Sequence, residues 1–438
     1  MSPLGMGGIV LVVLLVLLST GMPIAFALGL VSIAALILTE GFDSIEIVGE
    51  TFFGGLASFA LVSIPMFIVM GAAIASSPAG KDLYEALDRW LNRVPGGLVL
   101  SNIGACSIFA ALSGSSPATC AAIGKMGIPE MVQRGYPKSI AAGSIAAGGT
   151  LGILIPPSVT MIVYGIATET SIGRLFIAGL LPGLLLTVLF MIWTIIACKY
   201  AGYSFEKMAT RYSFRERFQA LPRVLPFLLI IVGILYVLYG GVATPSEAAG
   251  AGALFCIVLV AVIYRIWKPG PLLSVFRSSL KESVMIMMII GASELFAFTL
   301  SSLFVTQSIA GWIGDLDVNR WVLMGLINVF LLVAGFFLPP VAVILMTAPI
   351  LLPIITQAGF DPYWFAVILT INMEIGLITP PVGLNLYVIN GIAPDISLQT
   401  ILRGSLPYVL CMVLGIVILS IFPDIVTWLP NLLMGPGG

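Results

Sequence analysis

The fold is decided by residues 104–183, which read GACSIFAALSGSSPATCAAIGKMGIPEMVQRGYPKSIAAGSIAAGGTLGILIPPSVTMIVYGIATETSIGRLFIAGLLPG. Small and polar residues from Ser113 to Thr119 and a Pro156-Pro157 pair stand here among residues apolar enough to lie in lipid. In a bilayer, non-helical backbone is tolerated only where protein or a water-filled cavity satisfies its N–H and C=O groups. We therefore predict two breaks at bilayer depth: the tip of a re-entrant hairpin and an interruption within a spanning helix. Breaks of this kind form ion and substrate sites.

The same pattern occurs once more, 224 residues further along. This step separates Pro129 from Pro353, Gly135 from Gly359, Gly152 from Gly376, and Pro156-Pro157 from Pro380-Pro381. The phrase GILIPPS in the first half thus corresponds to GLITPPV in the second. A period near half of a 438-residue chain indicates a two-fold repeat.

Composition identifies an integral membrane protein. Hydrophobic residues make up 59% of the chain and charged residues only 9%, whereas a soluble chain carries about 25% charged residues. We therefore expect the chain to contact the lipid bilayer as a partner, and we expect no nucleic-acid partner. The chain has no His, the commonest proton shuttle, and acids within apolar runs are few, chiefly Glu294 and Glu374. This composition favours coupling to a metal cation held by neutral oxygens over a proton relay.

The first half is predicted to contain five crossings and one hairpin. Spans are predicted at about 4–19, 22–39, 58–77, 139–168 (broken at the proline pair) and 173–197, with interfacial helices at 40–57 and 80–93 and the hairpin at 97–131 with its tip at SGSSP. Because five is odd, the second copy must be inserted upside down. The first repeat is residues 1–198, with a scaffold (1–93) and a transport part (94–198).

The second half repeats the order after a basic cytoplasmic linker, residues 199–223. Spans are predicted at about 224–240, 247–264, 283–304, 363–391 (broken) and 400–422, with an interfacial stretch at 306–319 and a hairpin at 321–357 whose tip lies near GFFLPPV (335–341). The second repeat is residues 224–438, with a scaffold (224–320) and a transport part (321–438).

The positions of the basic residues agree with this topology. With the linker inside, sixteen of the 19 Lys and Arg residues fall on the cytoplasmic side: Lys81, Arg89, Arg93, Arg134, Lys138, Lys199, Lys207, Arg211, Arg215, Arg217, Arg223, Arg265, Lys268, Arg277, Lys281 and Arg403. Lys125 lies near the same face, and only Arg174 and Arg320 fall outside. The positive-inside rule requires such a bias, so we predict that both termini are periplasmic.

At these paired stretches the chain resembles the large membrane subunit, of the DctM or SiaM type, of tripartite ATP-independent periplasmic (TRAP) transporters. The resemblance covers essentially the whole chain. It is most specific in SGSSPATCAAIGKMGIPEM (113–131), RGYPKSIAAGS (134–144), GTLGILIPPSVTMIVYG (149–165) and GLITPPVGLNLYV (376–388).

The resemblance implies an all-α elevator-type secondary transporter of the ion-transporter superfamily in the bacterial inner membrane. It implies uptake of an organic acid, such as a C4-dicarboxylate or sialic acid, driven by sodium. The implied partners are a small four-helix membrane subunit of the DctQ or SiaQ type and a periplasmic substrate-binding protein of the DctP or SiaP type. We expect no cofactor and no catalytic residue, and sodium is the only metal expected.

Two sodium sites are predicted where a hairpin tip meets a helix break, because sodium favours hard oxygen ligands such as unwound carbonyls and hydroxyls. Proline also prevents the carbonyl four residues earlier from accepting its helical hydrogen bond. The first site combines Ser113, Gly114, Ser115, Thr150, Gly152 and Pro156. The second combines Gly335, Pro339, Asn372, Gly376, Thr379 and Pro380. The alternative is that these residues only kink helices and allow close packing.

A carboxylate substrate is predicted between the two tips, where half-helix N-termini supply positive potential and free N–H groups. The residues predicted there are Ser116, Thr119, Ser158, Gly383 and Asn385. Glu294 and Glu374 could each have a functional role. The alternative is a structural role, as a neutral or hydrogen-bonded carboxyl at a helix contact.

Three other functions remain open at this point. An ion channel needs a continuous pore and a filter. A membrane-embedded enzyme with Ser113 or Ser116 as nucleophile lacks a base, because no His is present and no Lys or Asp is placed beside them. A secondary carrier of the same superfamily could also work without partners.

Overall fold

The computed structural model describes residues 2–91, 94, 96–200, 212–266, 269–315 and 318–435, and within them it contains helices and no strand. The helices of the first half are α1 (Pro3–Ser19), α2 (Ile24–Glu40), α3 (Ser44–Leu56), α4 (Ser63–Ala75), α5 (Ala79–Leu91), α6 (Gly97–Ser113), α7 (Ser116–Gln133), α8 (Lys138–Thr150), α9 (Val159–Ala167) and α10 (Ile172–Tyr200). Those of the second half are α11 (Phe214–Tyr239), α12 (Pro245–Tyr264), α13 (Pro269–Ser302), α14 (Val305–Asp315), α15 (Arg320–Phe337), α16 (Pro340–Gln357), α17 (Pro362–Leu377), α18 (Leu384–Ile392), α19 (Leu398–Ile421) and α20 (Asp424–Met434).

Several helices are long and apolar enough to cross a membrane. Within the described residues there are seven of them, α10 to α13, α15, α16 and α19, and a bent pair of α3 with the segment 59–75 raises the number to eight. A spanning helix needs about 20 mostly apolar residues. The protein is therefore a multi-pass membrane protein.

Both proline pairs interrupt helices, as the sequence predicts. Between α8 and α9 the chain passes through a 3-10 turn at Leu151–Ile153 and then leaves helical geometry until Val159. Between α17 and α18 the interruption runs from Ile378 to Gly383. Proline removes an N–H donor and clashes with the preceding turn, so a pair of prolines ends the helix.

Both predicted hairpins are also present as antiparallel helix pairs with short tips. In the first, α6 and α7 are separated by two residues, Gly114 and Ser115. In the second, α15 and α16 are separated by Leu338 and Pro339. Helix α7 packs on α8 and α18, while α16 packs on α9 and α17, so each hairpin contacts both broken helices.

Most helices of the predicted scaffold pack on one another, whereas α5 packs on α6 of the first hairpin as well as on α11. Helix α4 lies against α12 and α13, and α2 lies against α13. Helix α13 also contacts α16 of the second hairpin, and α4 contacts α6 of the first. These contacts bring α4 and α13 against the hairpin tips.

Two helix starts and one additional helix differ from the sequence prediction. Helix α11 begins at Phe214, inside the stretch 199–223 predicted as a linker, because Ser213 and Glu216 form a capping box there. Helix α13 begins at Pro269 rather than near 283, and α20 follows the last predicted span. Residues 201–211 of the predicted linker lie outside the described residues, as do Arg93, Lys207, Arg211 and Lys268 of the predicted cytoplasmic set.

Candidate functional site

The first hairpin tip is built from hydroxyl groups around a glycine. Gly114 has a positive φ of 58°, which suits a residue without a side chain, and a Cβ there would lie 2.9 Å from the carbonyl oxygen of Pro157. The hydroxyls of Ser113 and Thr119 are 2.8 Å apart. Thr119 Oγ1 also donates to the carbonyl of Ser115 at 2.8 Å. This network ties the tip to the first turn of α7.

The first helix break lies directly against this tip. A Cβ on Gly152 would lie 2.8 Å from the carbonyl oxygen of Ser115 and 3.0 Å from the nitrogen of Ser116. Backbone meets backbone here, so a side chain is excluded. At the far end of the break, Ser158 Oγ donates to Ile153 O at 2.6 Å and accepts from the N–H of Met161, which caps α9.

The second tip and the second break meet in the same way. A Cβ on Gly376 would collide with the carbonyl oxygen of Gly335, and one on Gly335 would lie 3.7 Å from the carbonyl oxygen of Asn372. The N–H of Val382 donates to Phe336 O at 3.3 Å across the gap. Each break therefore touches one tip through backbone atoms.

The predicted sodium ligands lie in two groups. In the first, Ser113, Gly114, Ser115 and Gly152 come together, while Thr150 is fully buried and donates to Ala147 O at 2.7 Å. Pro156 is buried in the break. In the second, Gly335, Asn372 and Gly376 come together, and Thr379 donates to Ile375 O at 2.7 Å. Pro339 is the N-cap of α16, and Pro380 lies in the break between α17 and α18.

The donor chemistry of these groups fits a monovalent cation. No cluster of three or more His, Cys, Asp or Glu side chains occurs in the described part of the chain, so transition-metal ligands are not gathered anywhere in it. The carbonyls of Gly152 and Gly376 precede Pro156 and Pro380 by four residues and therefore lack the usual helical donor. The buried Oδ1 of Asn372 also has no hydrogen-bond partner among the described residues. Neutral oxygens of this type are suitable sodium ligands.

Between the two tips lies a cavity of about 210 Å³. The tips contribute residues 113–118 and 339–341, the breaks contribute Ile153, Val159, Thr160, Leu377 and Leu384, and the scaffold contributes residues of α4 and α13. The first residues of four helices, α7, α9, α16 and α18, thus line one cavity. Helix N-termini present unpaired N–H groups and positive potential, which favours anions.

Of the five residues predicted to contact substrate, Ser116 lines this cavity. Asn385 is fully buried and donates to Ser116 Oγ at 2.8 Å and to Ala146 O at 3.1 Å, so it ties the second break to the first tip. Thr119 and Ser158 are used by the networks described above. Gly383 has a positive φ of 52° at the start of α18. These four support the wall and do not line the cavity.

Three residues of the site were not predicted. Gly71 of α4 allows the scaffold to approach, since a Cβ there would collide with the carbonyl oxygen of Ser113. Thr160 of α9 lines the cavity and is 2% exposed. Glu282 of α13 also lines the cavity but is exposed. An acid within an apolar helix was the available signal for Glu282, which lies one residue before the predicted span of 283–304.

The two acids singled out from the sequence lie elsewhere. Glu374 is fully buried in α17, and neither carboxyl oxygen has a hydrogen-bond partner among the described residues. Glu294 is exposed on α13, where its side chain lies against Gly55. Neither lines the cavity.

Outside the spanning helices, an ion pair links α5 to the first hairpin. Arg134 lies 3.8 Å from Asp88 of α5 and 2.7 Å from Glu130 of its own helix. Burial raises the pKa of the Asp88 carboxyl above its ordinary value, and the charge of Arg134 opposes that shift. The pair joins an interfacial helix to the part of the chain that carries the first tip.

Fold and site together define a polytopic membrane transporter, with two hairpins and two broken helices around a central cavity. The family model of the tripartite ATP-independent periplasmic transporter DctM component matches residues 11–425. The chain belongs to this family, whose members are transporter permease subunits and not enzymes.

Individual proteins support the assignment. The C4-dicarboxylate TRAP transporter large permease protein DctM of Pseudomonas aeruginosa is 39% identical over 89% of this chain and 90% of its own length. The sialic acid TRAP transporter large permease protein SiaM of Vibrio cholerae is 31% identical over 96% of this chain and 97% of its own. The crystal structure of the Alcanivorax borkumensis YdaH transporter matches with a TM-score of 0.65 at 16% identity, covering 92% of this chain and 91% of that one, which supports the fold alone.

Proposed function

We propose that this protein carries an organic acid into the cell by sodium-coupled, elevator-type alternating access. The cavity between the two hairpin tips is the substrate site. The observation that carries this proposal is the convergence of four helix N-termini on that cavity, with a backbone contact between a tip and a break on each side. Relatives named for C4-dicarboxylate and sialic acid transport support an acid as substrate.

The two halves are proposed to be repeats of inverted topology. The constant step of 224 residues supports this, because it relates the broken helices and the glycines that meet the tips. In this arrangement α6 to α10 and α15 to α20 form the moving part, while α1 to α5 and α11 to α14 form the fixed scaffold. Rigid-body motion of one part against the other exposes the cavity to each side in turn.

Sodium is proposed to bind at the two tip–break contacts. The carbonyls of Gly152 and Ser115 would serve the first site with the hydroxyl of Ser113, and those of Gly376 and Gly335 would serve the second with Asn372. A bound cation there supplies positive charge beside an acidic substrate. The neutral oxygens around each contact hold that charge without an ionised side chain.

The proposal also includes two protein partners and a cellular location. A small membrane subunit packs on the scaffold, a periplasmic binding protein delivers the substrate, and the complex lies in the bacterial inner membrane with both termini of this chain periplasmic. Membership of the DctM family supports these partners.

Uptake into proteoliposomes tests the proposal. The large subunit is reconstituted with the small subunit and the binding protein of the same system, whose bound ligand is first identified by mass spectrometry. We expect uptake of that radiolabelled ligand only with an inward sodium gradient and only when the binding protein is present. Uptake that persists without the binding protein would indicate a self-sufficient carrier. Flux that saturates neither with ligand nor with sodium would indicate a channel.

A further inference from the structure

The lining of the cavity between the tips contains two chemically different groups of residues. The first group is Ser116, Thr160, Pro340 and Leu384, each in the first turn of a helix. The second group is one wall of α13, formed by Glu282, Met285, Ile286 and Ile289.

The helix starts that line the cavity offer donors that no side chain occupies. Helices α7, α16 and α18 have no side-chain cap, so the N–H groups of their first turns lack an acceptor within the helix. Thr160 is only 2% exposed, and its hydroxyl makes no hydrogen bond to any residue that the structure describes. An unpartnered donor at a buried position indicates a ligand with acceptor atoms. A carboxylate meets that requirement.

The α13 wall of the cavity carries one acid, Glu282, which is exposed and has no basic partner among the described residues. Glu282 is the one ionisable side chain among the described residues that line the cavity, and no Lys or Arg lines it. Within the described part of the chain Glu282 forms no ion pair, although Lys281 precedes it. The remaining lining of this wall is apolar. A second carboxylate on the substrate would therefore meet the carboxyl group of Glu282 at this wall, and two ionised carboxylates repel each other.

We propose that the substrate is a zwitterion: a small organic acid that also carries an ammonium or amidinium group. Its carboxylate lies at the N-termini of α7, α9, α16 and α18, and its cationic group lies at the Glu282 carboxylate. This inference rests on the proposed function, because it takes the cavity as the substrate site, and it makes Glu282 the residue that selects zwitterions over dicarboxylates.

Ligand stabilisation of the purified complex of large and small subunits tests this assignment. The probes are 4-aminobutyrate and succinate, which are close in length and differ in the charge of one end, each titrated in sodium chloride. We expect thermal stabilisation by 4-aminobutyrate at concentrations about tenfold lower than by succinate, since a charge-assisted hydrogen bond is replaced by a like-charge contact. Equal stabilisation by both probes, stabilisation by succinate alone, or no response to either would overturn the assignment.

Variants separate this inference from the proposed function. Glu282→Gln should abolish the preference for 4-aminobutyrate, and Glu282→Lys should reverse it toward succinate. Glu294→Gln is the matched control, because Glu294 lies on the same helix, is exposed and does not line the cavity. If succinate stabilises the wild type in sodium but not in potassium, and the Glu282 variants leave that response unchanged, the acid carrier stands and the zwitterion assignment fails.

Discussion

The two tip–break regions share a backbone arrangement but differ in chemistry and exposure. In the first, the tip carries Ser113, Ser115 and Ser116, and both prolines of the break are buried. In the second, the tip reads Phe336 to Pro340, without a hydroxyl, and the break is exposed from Pro380 to Val382. The shared glycine contacts are therefore what both regions need to form. The hydroxyls are an addition that serves the first region alone.

The largest effect on uptake is expected from placing a side chain at the glycines of the shared contacts. Gly152→Ala would push a methyl group into Ser115, and Gly376→Ala would push one into Gly335, in both cases against backbone that cannot rotate away. We expect either change to lower sodium-driven uptake by at least about tenfold, a loss of about 1.4 kcal/mol. Uptake per folded transporter is measured after size-exclusion chromatography.

Gly391→Ala is the control for these changes, because nothing lies within 4 Å of a Cβ at that position in α18. It should retain wild-type uptake. If Gly152→Ala or Gly376→Ala also retained it, the backbone contact in that region would have no functional role, and the two regions would no longer be equivalent.

A smaller effect should distinguish the two regions. Ser113→Ala removes the hydroxyl that contacts Thr119 at 2.8 Å, and the second tip has no counterpart. We expect the sodium concentration for half-maximal uptake to rise about three- to tenfold, as the loss of one net hydrogen bond predicts. Leu338→Ala at the second tip removes no hydroxyl, so it should change the sodium concentration for half-maximal uptake by no more than about twofold.

Ser107→Ala controls for the loss of a half-buried hydroxyl in α6. Ser107 lies 3.1 Å from Thr187 and does not line the cavity, so sodium dependence should not change. Equal shifts for the Ser113 and Leu338 variants would mean that the hydroxyls do not set the difference between the regions.

The smallest effect concerns an ion pair that only the first hairpin makes within the described residues. Burial raises the pKa of Asp88 in the folded protein. Because a raised carboxyl pKa favours the protonated native state, this contribution to stability is full below the ordinary pKa of about 3.9 and is lost as the pH rises through the raised value. Asp88→Asn should therefore raise the melting temperature relative to wild type at pH 8 by a few degrees.

The same comparison at pH 4.5 should show a smaller gain, because the wild-type carboxyl then holds its proton for more of the time. Arg134 keeps its contact with Glu130 in the variant. A gain that is larger at pH 4.5 than at pH 8 would contradict the assigned direction of the shift.

Much of the architecture followed from a few residue types. Proline pairs, the Gly-Ser tip and runs of apolar residues predicted the hairpins, both breaks and the amphipathic helix α5, because each acts through local backbone geometry or through the preference for lipid. Helix α11 was predicted to start too late, because polar residues before a span were taken as linker although the Ser213 and Glu216 pair is a capping box.

The site was harder to predict, because its contacts join distant parts of the chain. The sequence identified Ser116 and Asn385 separately, but it could not show that they bond to each other across 269 positions. It also gave no reason to place Glu282 beside the tips, since that depends on how α13 packs on α4 and α16. Local patterns predict where helices break, whereas packing decides which side chains face the cavity.

The central claim is that one part of the protein moves as a body against the other, and distances between spin labels test it most directly. Labels are placed at Phe255 of α12 in the scaffold and at Leu410 of α19 and Leu184 of α10 in the moving part, three exposed positions, after the native cysteines are replaced. Distances between the labels are measured by double electron–electron resonance, first with sodium and the ligand-loaded binding protein and then without sodium and without the binding protein. The account predicts that the distance from Phe255 to Leu410 changes by several ångströms while that from Leu184 to Leu410 stays constant. A constant distance from Phe255 to Leu410, or equal changes in both pairs, would contradict it.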